Sequence, residues 1–346
     1  MRITARIETT VAKVLACVTS AAMIAATAAC GIGGANPSPS PATDSPSQQD
    51  SPVSVVAAEN TWGSIAAQLA GDAATVTSIV SDTSTDMSTF APNSDQKAAI
   101  SNAQIVIVTG AGYDSWASDL TQQGQSVINA AATIGAGTGD NPYLWMSSDA
   151  RGAVAKAIAD SLTKLRPGHS EAFASNLDAW QDAEDEAEKA VEDFGKSHDG
   201  LRYAATTPVA YYLMSEADIA DSTPQEWNSA AAKDTTPDTT ATAQFSIVLK
   251  DGVGLLITDP QRSNSSIDSV LRTADLAHVP TVSIAETMPA SEESLPQWIE
   301  DIVADMTAAL EQASASAATS SSTDASASAT AETSASASAS SPAATD

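Results

Sequence analysis

Short runs of continuous apolar residues alternate along the chain with longer stretches in which apolar side chains recur every three or four positions. "VSVVA" (53–57), "VTSIV" (76–80), "IVIVT" (105–109) and "SVINA" (126–130) are rich in β-branched residues and read as strands. "WGSIAAQLAG" and "SDQKAAISNA" between them carry helical spacing. The order recurs after position 200, with strands at "LRYAA" (201–205), "VGLLIT" (253–258) and "TVSI" (281–284), and helices near 209–216, 241–250 and 265–277. Strands that are apolar throughout, rather than at alternate positions, are buried on both faces, which points to parallel sheets covered by helices. Between the two halves, Phe173, Leu177, Trp180, Ala187, Val191 and Phe194 lie at helical spacing, with Gly195 as the expected stop. A helix over 170–194 would span about 38 Å at 1.5 Å per residue. The predicted fold is therefore α/β: two lobes with parallel sheets (53–168 and 196–312) joined by one long helix (169–195).

The ends of the chain have a different character. Arg2, Arg6 and Lys13 precede an apolar, small-residue run that ends "ATAAC" at Cys30. A basic start, a short apolar stretch and a small-residue cleavage site read as a secretory signal over 1–29. A cysteine at the cleavage point implies lipidation at Cys30, although Thr27 stands where leucine is usual. "VLAC" ending at Cys17 is a rival that would leave an apolar run on the mature chain. Cys30 would then be the only cysteine of the mature chain, so no intrachain disulfide is available. Residues 30–52 are Pro/Ser-rich and read as a solvated spacer. From Ala313 to Asp346 there is no Leu, Ile, Val or aromatic residue, so a disordered tail is expected.

Charge narrows the partners. The 346 residues carry a net charge of −28, which excludes a nucleic-acid ligand, since phosphates need Lys and Arg. The expected location is the extracytoplasmic face of a bacterial membrane, and a monomer is expected. In open α/β sheets ligands sit beyond the carboxyl ends of the strands. The loops to inspect are thus 59–62, 82–90, 110–114, 140–145, 206–208, 259–261 and 286–288. Asn60 and Trp62, on the first of these, are candidates to touch a ligand. Asp86 and Asp259 share the same inferred rim. Gly110–Gly112 lacks the third glycine of a dinucleotide fingerprint, so a tight turn is the reading there. Asp182, Glu184, Asp185, Glu186 and Glu188 read as a solvated helix face. His169, His198 and His278 sit at the wrong ends of elements to line a cleft. No nucleophile–histidine–carboxylate pattern is present, and an enzyme is not expected.

Several segments in order resemble a known family. "ENTWGSIAAQLAGD", "TGAGYDSW", "NPYLWMSSDA", "ATTPVAYYLM" and "IAETMP" are similar to the motifs of the zinc- and manganese-binding lipoproteins that serve ABC importers, the TroA-like receptors. The resemblance spans nearly all of 53–312. It implies four metal-ligand positions, which fall here on Ser88, Tyr143, Thr207 and Glu286. Only Glu286 keeps an acidic donor. The Asn-Pro-His of the family is Asn-Pro-Tyr at Tyr143, and hydroxyls also replace the donors at Ser88 and Thr207. Zinc favours imidazole and thiolate, and neutral hydroxyls are poor donors for it. The family's His-rich loop is missing.

The expected function is that of a solute-binding lipoprotein of a zinc/manganese-type ABC importer with a degenerate metal site. No firm cofactor follows, beyond a weakly bound divalent cation, zinc or manganese by resemblance. The partners implied are the importer's permease and, through the lipid anchor, the membrane. Two alternatives stand beside it: a receptor for a non-metal small solute on the same scaffold, and a surface lipoprotein with no small ligand.

Overall fold

The computed structural model describes residues 51–233 and 235–335. Cys30, the leader before it and most of the spacer lie outside the described residues. Among those described, no helix is long and apolar enough to cross a membrane.

The first lobe runs β1 (Val53–Glu59), α1 (Asn60–Ala70), β2 (Ala74–Val80), α2 (Ser94–Asn102), β3 (Ile105–Val108), a single turn α3 (Ser115–Ser118), β4 (Ser126–Asn129), another turn α4 (Ala130–Thr133) and α5 (Ser148–Leu165). Its four strands are parallel, in the order β2-β1-β3-β4. Then α6 (Ser170–Ser197) crosses to the second lobe: β5 (Arg202–Ala205), α7 (Tyr211–Glu216), β6 (Ala220–Asp221), α8 (Gln225–Ala231), α9 (Thr239–Lys250), β7 (Leu255–Thr258), α10 (Ser265–Leu276), β8 (Thr281–Ser283) and α11 (Leu295–Ala335). This sheet is again parallel, in the order β6-β5-β7-β8. The architecture is the predicted one. The short strand β6 and the helices α5, α8 and α11 were not anticipated from the pattern.

The central strands are sealed on both faces. Every residue of β3 is buried, as are six of the seven in β1, while the edge strand β2 alternates. One core is continuous through both lobes, because α6 contributes Phe173, Trp180, Ala187, Val191 and Phe194 to the layer shared with α1, α5 and α11. Two further cores cover the opposite sheet faces, one in each lobe.

Four expectations change. Helix α6 continues past Gly195, which does not cap it: a Cβ there would lie 2.0 Å from the carbonyl oxygen of Ala217, so the missing side chain lets α6 approach the end of α7. Glu184 does not belong to the solvated acidic face; it is buried and accepts a hydrogen bond from Arg151 Nε at 2.7 Å, while its acidic neighbours remain exposed. The helix α11 extends through much of the stretch expected to be a disordered tail. Alanine has the highest helix propensity, so a helix anchored by Leu295–Met306 propagates into an alanine-rich run. Finally, Trp62 is fully buried with Trp145 and donates to Thr109 Oγ1 at 2.9 Å, so it belongs to the core and not to the rim.

Candidate functional site

In both sheets the strand order reverses between the first and third strands, β1/β3 in one lobe and β5/β7 in the other. A crevice opens outside the carboxyl ends at such a switch point. The two crevices face each other. The loops that close on them are those after β1, β2 and β3, the segment before α5, and the loops after β5, β7 and β8.

Each loop is held by its own short side chains. After β2, Asp82 accepts from Ser84 N, Asp86 accepts from Ser88 N and Ser88 Oγ, and the buried Met87 anchors the turn. After β3, Gly110, Ala111 and Gly112 all take positive φ (76°, 53° and 94°). The Asp114 carboxylate closes this turn by accepting from Thr109 N and Gly110 N. A Cβ at Gly110 would collide with Asn129, so glycine is needed there. After β7, Asp259 accepts from Gln261 N, and Asn264 caps α10 by accepting from Ser266 N and Ile267 N. Arg262 is therefore presented between two fixed points.

At the centre lies Glu286, which is buried. Its Oε1 accepts from the Tyr143 hydroxyl at 2.7 Å and from Arg262 Nε at 3.1 Å, and its Oε2 accepts from the Tyr113 hydroxyl at 3.1 Å. Arg262 Nη2 is also 3.1 Å from Oε1. The same guanidinium lies 3.9 Å from Asp259 and 3.9 Å from Asp86, a residue of the other lobe. Burial and the nearby Glu286 charge push both tyrosines well above the usual phenol range, so they act as neutral donors. Burial beside Glu286 also pushes the Asp259 carboxyl up.

Behind Glu286 lies Glu59, at the end of β1. It is fully buried and neither carboxyl oxygen has a hydrogen-bond partner. Burial, then the charges of Asp114 and Glu286, hold its carboxyl well above the usual range. Asp114 rises to about 6, because burial outweighs its two backbone hydrogen bonds.

In front of Glu286 is a cavity of about 330 Å³ between the lobes, to which Asp86, Ser88, Tyr143, Thr207 and Arg262 contribute. Three of the four positions singled out from the sequence thus line one cavity, and the fourth is bonded to one of them from beneath. Their chemistry is already engaged, however. The Ser88 hydroxyl is exposed but spent on Asp86, and the Tyr143 hydroxyl is spent on Glu286. Only Thr207 Oγ1 is buried without a partner. Asn60 points elsewhere, its Nδ2 donating to Met288 O at 2.7 Å across the lobes.

Among the described residues no three His, Cys, Asp or Glu side chains converge as a metal site requires. The histidines lie away from the cleft: His169 stacks on Phe173, and His198 packs on Phe194 at the end of α6. Sequence reasoning missed Arg262, Tyr113 and Glu59. Tyr113 and Glu59 stand in loops already marked, and Arg262 is one residue beyond one. An arginine beside a binding loop, in a chain with 15 basic against 43 acidic residues, was the signal available.

A family model described as ZnuA, zinc-uptake complex component A periplasmic, matches residues 55–309. A search of curated proteins finds no match. Solved structures share the fold at low identity. The periplasmic zinc-binding protein TroA of Treponema pallidum is 12% identical with a TM-score of 0.64, covering 75% of this chain and 99% of its own. A mutant of the laminin-binding adhesin Lmb of Streptococcus agalactiae is 16% identical with a TM-score of 0.62, covering 75% and 99%. A ZnuA crystal structure is 15% identical with a TM-score of 0.60, covering 76% and 99%. With most of its length matched by the family model, this chain belongs to the ZnuA family of periplasmic zinc-uptake components, which are solute-binding proteins and not enzymes.

Proposed function

We propose that this chain is the solute-binding lipoprotein of an ABC importer of the zinc and manganese type, anchored through Cys30, and that its cleft offers no strong metal site. One observation carries the second half of this reading: the acidic residue kept at Glu286 is already bonded by an arginine and two tyrosines of the same chain. A zinc ion at this carboxylate would have to displace a cation tethered beside it and accept neutral hydroxyls in place of imidazole.

Titration calorimetry of the purified protein with zinc should give no tight one-to-one isotherm. The triple change Ser88→His, Tyr143→His and Thr207→Glu should add affinity only weakly while Arg262 is present, and clearly once Arg262→Ala is combined with it. Tight binding by the parent, abolished by Glu286→Ala, would overturn the reading. For the anchor, Cys30→Ala should shift the protein from the membrane to the soluble fraction; unchanged partitioning would sink it.

A second reading has its own support. The cavity is far larger than an ion, and the polar residues Thr206, Thr207, Thr236, Ser263 and Asn264 line it. A small non-metal solute held by neutral hydrogen bonds fits this lining. Such a ligand, binding only the folded state, would raise the melting temperature in a screen of small polar compounds.

A further inference from the structure

We infer that Arg262 is the resident cation of this cleft: a tethered guanidinium that balances the buried Glu286 carboxylate and latches the two lobes together. The inference concerns the same cleft as the proposed function, but it stands whether or not a permease is the partner.

The geometry is that of a cage around a planar cation. Among the described residues, three carboxyl groups from three separate loops face one guanidinium. Glu286 contacts both Nε and Nη2 at 3.1 Å, while Asp259 and Asp86 each stand at 3.9 Å. These groups do not converge on a point as donors to a metal ion do, since ligand distances near 2 Å bring donors much closer together. They are spaced for a flat ion with donors along several edges, which is the form of an arginine side chain. Glu286 is almost fully buried, and a buried carboxylate without a counter-charge is strongly unfavourable. Arg262, whose side chain is 21% exposed, supplies that charge from the protein itself.

The second role follows from where the partners sit. Glu286, Asp259 and Arg262 belong to the second lobe, and Asp86 to a loop of the first. The neighbouring Gln261 ties the same seam: its Oε1 accepts from Glu286 N at 2.6 Å, and its Nε2 donates to Thr85 O at 2.7 Å across the lobes. The segment Thr85–Met87 is thus fastened to the loop after β7 by one charged contact and one neutral bond. No bound solute is needed to draw it down.

The test removes the cation and then returns it as a free ion. In Arg262→Ala, amide hydrogen exchange in peptides covering 82–90 should quicken by about two- to fivefold, the equivalent of a partly exposed ion pair lost. Guanidinium chloride at about 10 mM, far below the molar concentrations that unfold proteins, should slow it again, while sodium chloride at equal concentration should not. Asp86→Asn, made on the exposed end of the latch, should quicken the same peptides and keeps the test informative if the alanine variant folds poorly. Exchange unchanged in both variants would overturn the latch. Quickened exchange that free guanidinium fails to reverse would overturn the cage. A zinc titration of the parent reports on the proposed function separately: tight zinc binding there with quickened, rescuable exchange in Arg262→Ala would sink the proposed function and keep the latch.

Discussion

Glu59 carries the least favourable single environment in the cleft, a carboxyl with no partner beneath a layer of other acids. Its pKa, like that of Asp114, is raised in the folded protein. The unfolded chain releases these protons near pH 4. Between that point and the folded pKa the native state holds more protons than the unfolded state, so stability falls as pH rises. For Asp114 the loss runs from about pH 4 to about 6, and the raised pKa of Glu59 contributes a loss of the same sign. The protein should therefore melt at a higher temperature at mildly acidic pH than at pH 8, with respect to these groups. Glu59→Gln, which keeps shape and removes the titration, should raise the melting temperature at pH 8 and flatten its pH dependence between 5 and 8. An unaltered pH profile in this variant would show that Glu59 is ionised and solvated. The sequence marks the loop that Glu59 begins but not its burial, because that burial depends on residues from distant parts of the chain.

Among the elements, α6 shows how far periodicity can be read. The apolar stripe from Phe173 to Phe194 predicts both the helix and its buried face, since every third or fourth side chain must leave water. What the stripe does not reveal is the ion pair set into it. Glu184 sits among residues that look like a solvated face, and it is the buried Arg151 of α5 that draws it inward. Gly195 likewise reads as a stop, whereas the structure uses it for a backbone contact. Gly195→Ala should cost about 1–3 kcal/mol in chemical denaturation, the usual range for overpacking a filled site, even though alanine is the better helix former. A stabilised variant would show that Ala217 moves away freely.

Across the whole molecule, the lobes are tied at the cleft by hydrogen bonds that need no ligand. Tyr113 and Tyr143 of the first lobe donate to Glu286 of the second, Asn60 donates to Met288 O, and Asn141 Nδ2 donates to Pro208 O. Behind them α6 packs its length into the core shared by both halves. A helix packed at both ends resists bending, so the arrangement opposes wide hinge motion. Small-angle scattering curves of the parent should superpose with and without 1 mM zinc. A clear change in radius of gyration would contradict this.

The alternation of apolar runs and helical stripes was enough to establish two parallel α/β lobes on one long helix. Strands sealed on both faces and an amphipathic helix are local consequences of which side chains avoid water. The loops that approach the cleft were legible for the same reason, since in parallel sheets they follow the strand ends. The positions Ser88, Tyr143, Thr207 and Glu286 came from a resemblance, and the fold gathers them around one cavity. What those residues are bonded to could not be read along the chain. Whether Tyr143 points at a solute or at Glu286, whether Glu59 meets water or other carboxyls, and which cation sits at Asp86 depend on contacts between residues far apart in the chain, 143 positions for Tyr143 and Glu286. The packing of one lobe against the other decides that Tyr143 meets Glu286 and that Asp86 meets Arg262, while the folding of the second lobe alone sets Arg262 against Glu286.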